Sequence, residues 1–169
     1  MRPIHDDISP PRDAIRYLQV ADHEEYSIGV FIFPPLARMP LHDHPGMCVL
    51  SRLLYGDVQR TQLDFAPPSR WSFRRRLVAH RHEPDHLYAP ACVELFPVKG
   101  NLHEFVAGPN GAAMLDVLIP PYDDERDCTF YKVEDYLEEG SMRCYVSVLP
   151  DQSDKFPCVS GQYSGWEDE

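Results

Sequence analysis

The sequence predicts an all-β protein, a sandwich or small closed barrel, on three observations. Seventeen prolines punctuate the 169 residues at short intervals, among them Pro34-Pro35, Pro40, Pro45, Pro67-Pro68, Pro84, Pro90, Pro97, Pro109 and Pro120-Pro121. The runs between them are short and rich in Val, Ile, Leu, Phe and Tyr. Helical periodicity is weak throughout. Proline is excluded from helix interiors and central strands, so chain breaks this frequent leave room only for short strands joined by turns.

Taken in order, Pro11–Leu18 (PRDAIRYL) offers a short N-terminal helix, and the first strand follows at 26–33 (YSIGVFIF). Further strands are expected at 47–55 (MCVLSRLLY), 58–65 (VQRTQLDF), 73–80, 92–96, 102–107, 113–119, 128–133 and 143–149. A helical turn or two fits 133–139 (VEDYLEE), and the polar tail from 151 to 169 reads as loose coil laid over the barrel or partly disordered. The length favours a single domain over 1–169, with a core of about 26–150 and a peripheral C-terminal tail. Many short strands at regular spacing suit a barrel or jelly roll.

Charge and cysteines narrow the function classes. The formal net charge of −11 disfavours binding to nucleic-acid phosphates. No run of about 18 apolar residues is present, so no membrane span is expected. The first 30 residues carry charges throughout and lack an apolar signal core, which favours the cytosol or nucleus. Cys48, Cys92, Cys128, Cys144 and Cys158 are odd in number and form no C-x-x-C pair. That pattern fits reduced thiols rather than a disulfide framework or a zinc ribbon.

The chemistry-bearing motif is PLHDHPGM. In an extended segment, positions two apart share a face, so His42 and His44 point the same way. Pro40 and Pro45 favour extended backbone at Met39 and His44. Two imidazoles hold an ion weakly, and His103 in GNLHEF, at the start of a later strand, is the candidate third ligand. The alternative is a surface or half-buried histidine pair without a metal. A rival cluster, His80, His82 and His86 in HRHEPDH, has the same alternation. It lies close to Arg74, Arg75, Arg76 and Arg81, whose charge opposes a cation, so it reads as an exposed hairpin.

Three segments, PLHDHPGMCVLSRLLYGDV, APACVELFPVKGNLHEF and LDVLIPPYDDERDC, in that order over about residues 30–133, resemble the cupin superfamily. Within it they resemble the thiol dioxygenases that include cysteamine (2-aminoethanethiol) dioxygenase and the plant cysteine oxidases. The resemblance implies a cupin fold, a double-stranded β-helix or jelly-roll-like barrel with few short helices. It also implies Fe(II) on His42, His44 and His103. Generic cupins carry a glutamate about four residues after H-x-H, where this chain has Cys48 and then Val49. The implied three-histidine site stays dipositive and open to a thiolate and O2. Sequence alone leaves zinc, nickel and manganese open.

By the same resemblance Asp116 and Tyr122 line the active site. Asp116 would hold a substrate ammonium, and Tyr122 would donate a hydrogen bond to iron-bound oxygen. The alternatives are a structural hydrogen bond for Asp116 and a turn cap for Tyr122. Some family members carry a cysteine–tyrosine crosslink in Cys-x-Tyr. Here Phe130 follows Cys128 at that spacing and Tyr131 stands one residue late, so no crosslink is expected. The chain also begins closer to the catalytic core than is usual in the family.

The implied reaction oxidises an aminothiol, cysteamine or the N-terminal cysteine of a peptide or protein, to its sulfinic acid with both atoms of O2. An enzyme for free cysteine needs an arginine for the carboxylate. Arg52 and Arg60 follow the H-x-H motif, and the sequence places neither in the pocket. A monomer without nucleic-acid or membrane partners is expected. The competing classes are a non-oxygenase metal-binding cupin (an isomerase or hydrolase) and a ligand-binding cupin without catalysis.

Overall fold

The computed structural model describes residues 14–67, 77–150 and 157–163. Eleven strands join in one hydrogen-bonded sheet: β1 (Ile15–Asp22), β2 (Ser27–Phe33), β3 (Arg38–His42), β4 (Cys48–Phe65), β5 (Leu77–Arg81), β6 (Asp85–Tyr88), β7 (Ala91–Leu95), β8 (Leu102–Ile119), β9 (Tyr131–Tyr136), β10 (Arg143–Val148) and β11 (Cys158–Gln162). The spatial order is β11-β1-β2-β8-β4-β5-β10-β9, with β3 added to β8, and β6 and β7 added to β4. No helix occurs among the described residues, so the few short helices expected from the sequence are replaced by strands and turns.

Strands β4 and β8 are the spine, each 18 residues long. A straight strand of that length spans about 60 Å, longer than the roughly 40 Å diameter of a domain this size. Both therefore bend. Their pairing shifts register between Leu53 and Tyr55 and between Gly56 and Val58. Gly56 has φ +77°, and a Cβ there would run into the Gly111 carbonyl on the facing strand. The bend explains why the sequence reads as two strands on each side, 47–55 with 58–65 and 102–107 with 113–119. The apolar alternation breaks at Gly56-Asp57 and at Gly108-Pro109-Asn110-Gly111, and the ladder resumes beyond them with Val58 opposite Ala107.

Within the described residues the two expected helices are replaced by strands at 15–18 and 133–136; residues 11–13 lie outside the described residues. Residues 15–22 bury Ile15 and Leu18, a spacing of three that mimics a helix face. The unpaired edge of β2 captures them instead, with a register shift between Gln19 and Ala21. The expected core limit at residue 26 therefore moves outward to include β1. In β9 only Tyr131 is buried, and its backbone ladder to β10 overrides the weak helical preference of VEDYLEE. Cys158–Gln162, expected as loose coil, pairs in parallel with β1. The strand expected at 73–80 appears at Leu77–Arg81; residues 73–76 lie outside the described residues.

Two strands were not legible. β3 contains Pro40, which cannot donate to a ladder. It is tolerated because the β3–β8 ladder shifts register between Met39 and His42, and the bridge on the other edge of β3 is at His42. β6 has only four residues. Alternation on β3 and β8 sorts side chains to two faces. Leu41 and Leu102 enter one apolar cluster with Leu63, Ala79, Cys144 and Val146. His42 and His103, each one position later, take the other face.

Candidate metal centre

β3 and β8 set the first two histidines opposite each other, since His42 and His103 are a cross-strand pair. Their ring centroids are 4.4 Å apart. His44 lies just past the end of β3 and is brought back by a turn. Met47 N donates to the His44 carbonyl (3.1 Å), with Gly46 at φ +69° between them. Pro45 followed by a positive-φ glycine is the arrangement of a type II turn. The His44 ring stands 5.0 Å from both His42 and His103. One ligand nitrogen from each of the three lies within 4.8 Å of the others, and this is the metal-capable cluster found among the described residues.

Burial keeps all three neutral, and hydrogen bonds at Nδ1 leave Nε2 free as the acceptor in His42 and His44. His42, His44 and His103 are only 6%, 5% and 5% exposed. Burial pushes His42 down to about 4, and burial reinforced by His42 pushes His44 down to about 2. His103 falls well below the usual range from burial, then the neighbouring histidines and Arg60. Neutral imidazoles keep the lone pairs a cation needs. His42 Nδ1–H donates to the Pro40 carbonyl (2.8 Å), leaving Nε2 as the acceptor.

At His44 the same choice is forced by Tyr122. The Tyr122 hydroxyl donates its one proton to the Asp43 carbonyl (2.8 Å), because a carbonyl can only accept. His44 Nδ1, 2.6 Å away, must then carry a proton and donate to the Tyr122 oxygen. The Cys128 thiol, close to the Tyr122 hydroxyl, is pushed up to about 12, chiefly by burial, and stays protonated. His44 Nε2 is buried with no partner. An orphaned acceptor facing two other imidazoles fits a bound cation, which would satisfy it.

Asp116, on β8, is buried, and burial pushes its carboxyl up to about 6 against the stabilising bond from Ser51. Its Oδ1 has no partner. Ser51, the cross-strand partner of Asp116, also lines a small cleft with His103, Arg60, Gln62, Glu94 and Phe105.

A family profile described as PCO_ADO matches residues 4–166. The chain belongs to the PCO_ADO family. It is 32% identical to the 2-aminoethanethiol dioxygenase of Mus musculus, over 89% of this chain and 70% of that protein. Plant cysteine oxidase 1 of Arabidopsis thaliana is 36% identical, over 73% of this chain but only 42% of that protein. A cupin superfamily protein from Desulfitobacterium hafniense DCB-2 shares the fold at TM-score 0.51 and 14% identity, covering 71% of this chain and 90% of that one. The cupin fold expected from the sequence is therefore the fold observed.

In this PCO_ADO chain the Tyr122 hydroxyl donates to the Asp43 carbonyl and accepts from His44 Nδ1, so it orients His44. Cys128 is a free thiol, Tyr131 donates to Asp43 Oδ2 (2.9 Å), and the Phe130 ring sits 5.7 Å from His42. Arg52 is exposed, whereas Arg60 reaches the cleft wall.

Two residues of the site escaped the sequence reading. Asn101 accepts from His44 N (3.0 Å) and donates from Nδ2 to His44 O (2.8 Å) and to Phe96 O (3.2 Å). It binds both backbone groups of His44 as a neighbouring strand would, and it stands two residues before His103. Asp43 accepts from Thr129 N (2.8 Å) and Tyr131, tying the residue between the two histidines to the segment leading into β9. The only sequence signal for either was a polar residue next to a ligand histidine, in HDH and in GNLH.

The rival cluster does not converge. His82 Nε2 pairs with Asp64 Oδ2 (2.8 Å), His86 Nε2 pairs with Asp57 Oδ2 (2.6 Å), and His80 is exposed. β5 and β6 pair with β4 and not with each other, so the segment is not a simple hairpin. Arg74, Arg75 and Arg76 lie outside the described residues.

Proposed function

We propose that this protein is an Fe(II)-dependent thiol dioxygenase that converts an aminothiol and O2 to the sulfinic acid, R–SH + O2 → R–SO2H. The observation that carries the reading is the buried set of three neutral imidazoles, with His44 Nε2 unpartnered and no carboxylate in the ligand set. A neutral ligand set leaves a divalent ion its full charge, which favours an anionic sulfur partner. His42, His44 and His103 would hold the ion. When bound, iron supplies acidification of the thiol and the electronic coupling of sulfur to O2.

The chain's own residues do the rest. Pro40 O fixes the tautomer of His42, and Tyr122 fixes that of His44. Asp116, with a pKa raised to about 6, is ionised at neutral pH, and its unpartnered Oδ1 is a receptor for a substrate ammonium. Phe105 and Leu95 line the apolar side of the cleft and exclude water from it. An amine on Asp116 and a sulfur at the histidines suit cysteamine or an N-terminal cysteine. The relatives named 2-aminoethanethiol dioxygenase and plant cysteine oxidase support the same chemistry.

The test is anaerobic loading with Fe(II), then O2 with cysteamine, L-cysteine and a cysteine-initiated peptide, read by mass spectrometry. Gain of two oxygen atoms on an aminothiol supports the reading. Absence of any oxygenated thiol, with iron verified at one per chain, overturns it.

A further inference from the structure

We propose that Asp85 is a specificity-determining residue. By occupying the Arg60 guanidinium, it denies the cleft a carboxylate receptor and restricts substrates to aminothiols whose amine-bearing carbon carries no free carboxylate. The inference rests on the thiol-dioxygenase reading above.

Arg60 is the cation in the wall of the cleft that contains His103. β4 places it opposite Phe105 of β8 on one side and Asp85 of β6 on the other. It is close enough to the histidine site for its charge to act on His103. A planar guanidinium there is the group that would grip a substrate carboxylate with two parallel hydrogen bonds.

The Nε/Nη2 edge of Arg60 is already filled, and its charge is neutralised by the carboxylate that fills it. Arg60 Nε donates to Asp85 Oδ1 (2.9 Å) and Nη2 donates to Oδ2 (2.5 Å). The Arg60 side chain is 14% exposed and Asp85 is 41% exposed, so the carboxylate of the pair is the partner on the solvent side. With Arg60 neutralised, the remaining charges near the cleft are Glu94 in its wall and Asp116 behind Ser51. That balance attracts an ammonium and repels a carboxylate. L-Cysteine differs from cysteamine by one carboxylate on the carbon bearing the amine. In an N-terminal cysteine that group is a neutral amide carbonyl, to which the remaining Nη1 donor of Arg60 is suited.

The experiment compares kcat/KM of the iron-loaded protein for cysteamine, L-cysteine and L-cysteine methyl ester. In the wild type, the ester should exceed L-cysteine by about tenfold or more, since only a negative charge is removed. In Asp85→Asn, the L-cysteine to cysteamine ratio should rise by about tenfold, and Arg60→Met added to Asp85→Asn should return it to the wild-type value. Equal turnover of L-cysteine and its ester by the wild type overturns the proposal, whether or not Asp85→Asn folds. An unchanged ratio in folded Asp85→Asn, or a rise that survives Arg60→Met, also overturns it. Turnover of none of the thiols sinks the underlying dioxygenase reading as well, so the two failures are distinguishable.

Discussion

Two histidine clusters in this chain share the H-x-H spacing and end differently. His42 and His44 are buried with His103, and His44 Nε2 has no partner. His80, His82 and His86 lie toward the surface, and His82 and His86 each give Nε2 to an aspartate. The difference is not in the motif. The β3–β8 ladder and the Pro45-Gly46 turn aim three imidazoles at one point. β5 and β6, by contrast, lay their histidines along β4 beside Asp64 and Asp57. Spacing provides a shared face, but convergence needs a second strand and a turn, and an unsatisfied nitrogen needs exclusion of water and carboxylates.

The largest test of that contrast removes ligands. His42→Ala, His44→Ala and His103→Ala should each abolish stoichiometric metal uptake, read by metal analysis. Sulfinic acid formation should fall by more than the roughly 100-fold expected of an outer-shell change. Retention of full metal occupancy in any one of them would remove that histidine from the ligand set.

Asp116→Asn should lower kcat/KM for cysteamine by about 10–100-fold, the loss of one charge-assisted hydrogen bond. The same change should stabilise the protein at neutral pH. The folded carboxyl at about 6 lies above its unfolded value of 3.8, so the folded state holds its proton more tightly. Folding stability therefore falls as pH rises from about 4 to about 6, and the deficit at pH 7 approaches 3 kcal/mol. Denaturant titration should show Asp116→Asn ahead at pH 7 and level with wild type below pH 4. Parallel stability curves at all pH values would refute a buried, destabilised carboxylate.

Asn101→Ala should weaken metal affinity by about 10–100-fold, because His44 loses the clamp on both of its backbone groups. Asn101→Asp should fail to rescue it, since a carboxylate cannot donate to His44 O or Phe96 O. A competition titration with a chelator measures both. Tyr122→Phe should cost about tenfold in affinity, by leaving His44 Nδ1–H without its acceptor.

The smallest effect should come from the other cluster. His80→Ala, His82→Ala and His86→Ala should change metal affinity by no more than about twofold, as exposed substitutions usually do. A larger loss would mean that the surface histidines share the site after all.

Legibility in the sequence followed the range of the physics involved. The strands around Val30, Val49 and Val146 were readable because alternation and proline breaks are local. Residues 15–18 and 134–136 were misread as helical, because a free strand edge nearby outweighed a weak local preference. β3 was hidden by Pro40, harmless only where the ladder shifts register past it. The three ligand histidines could be named from HDH and GNLHEF with the family resemblance. Asn101 and Asp43 could not, since a polar residue beside a ligand has no signature of its own. The hydrogen bonds of Tyr122 were out of reach for a related reason. Direction of a single hydroxyl proton depends on whether its neighbour is a carbonyl, and Asp43 O is 79 positions away in sequence.

By itself the sequence determined the all-β character, the excess of negative charge and the candidate donors, because these follow from residue chemistry and its near-neighbour pattern. Tertiary structure alone decided that His44 joins His42 and His103, that Asp116 keeps an unpaired oxygen, and that Arg60 faces the cleft already bound to Asp85. Each of these depends on which distant segment excludes water from a polar atom, and exclusion of water is a property of the closed barrel rather than of any stretch of chain.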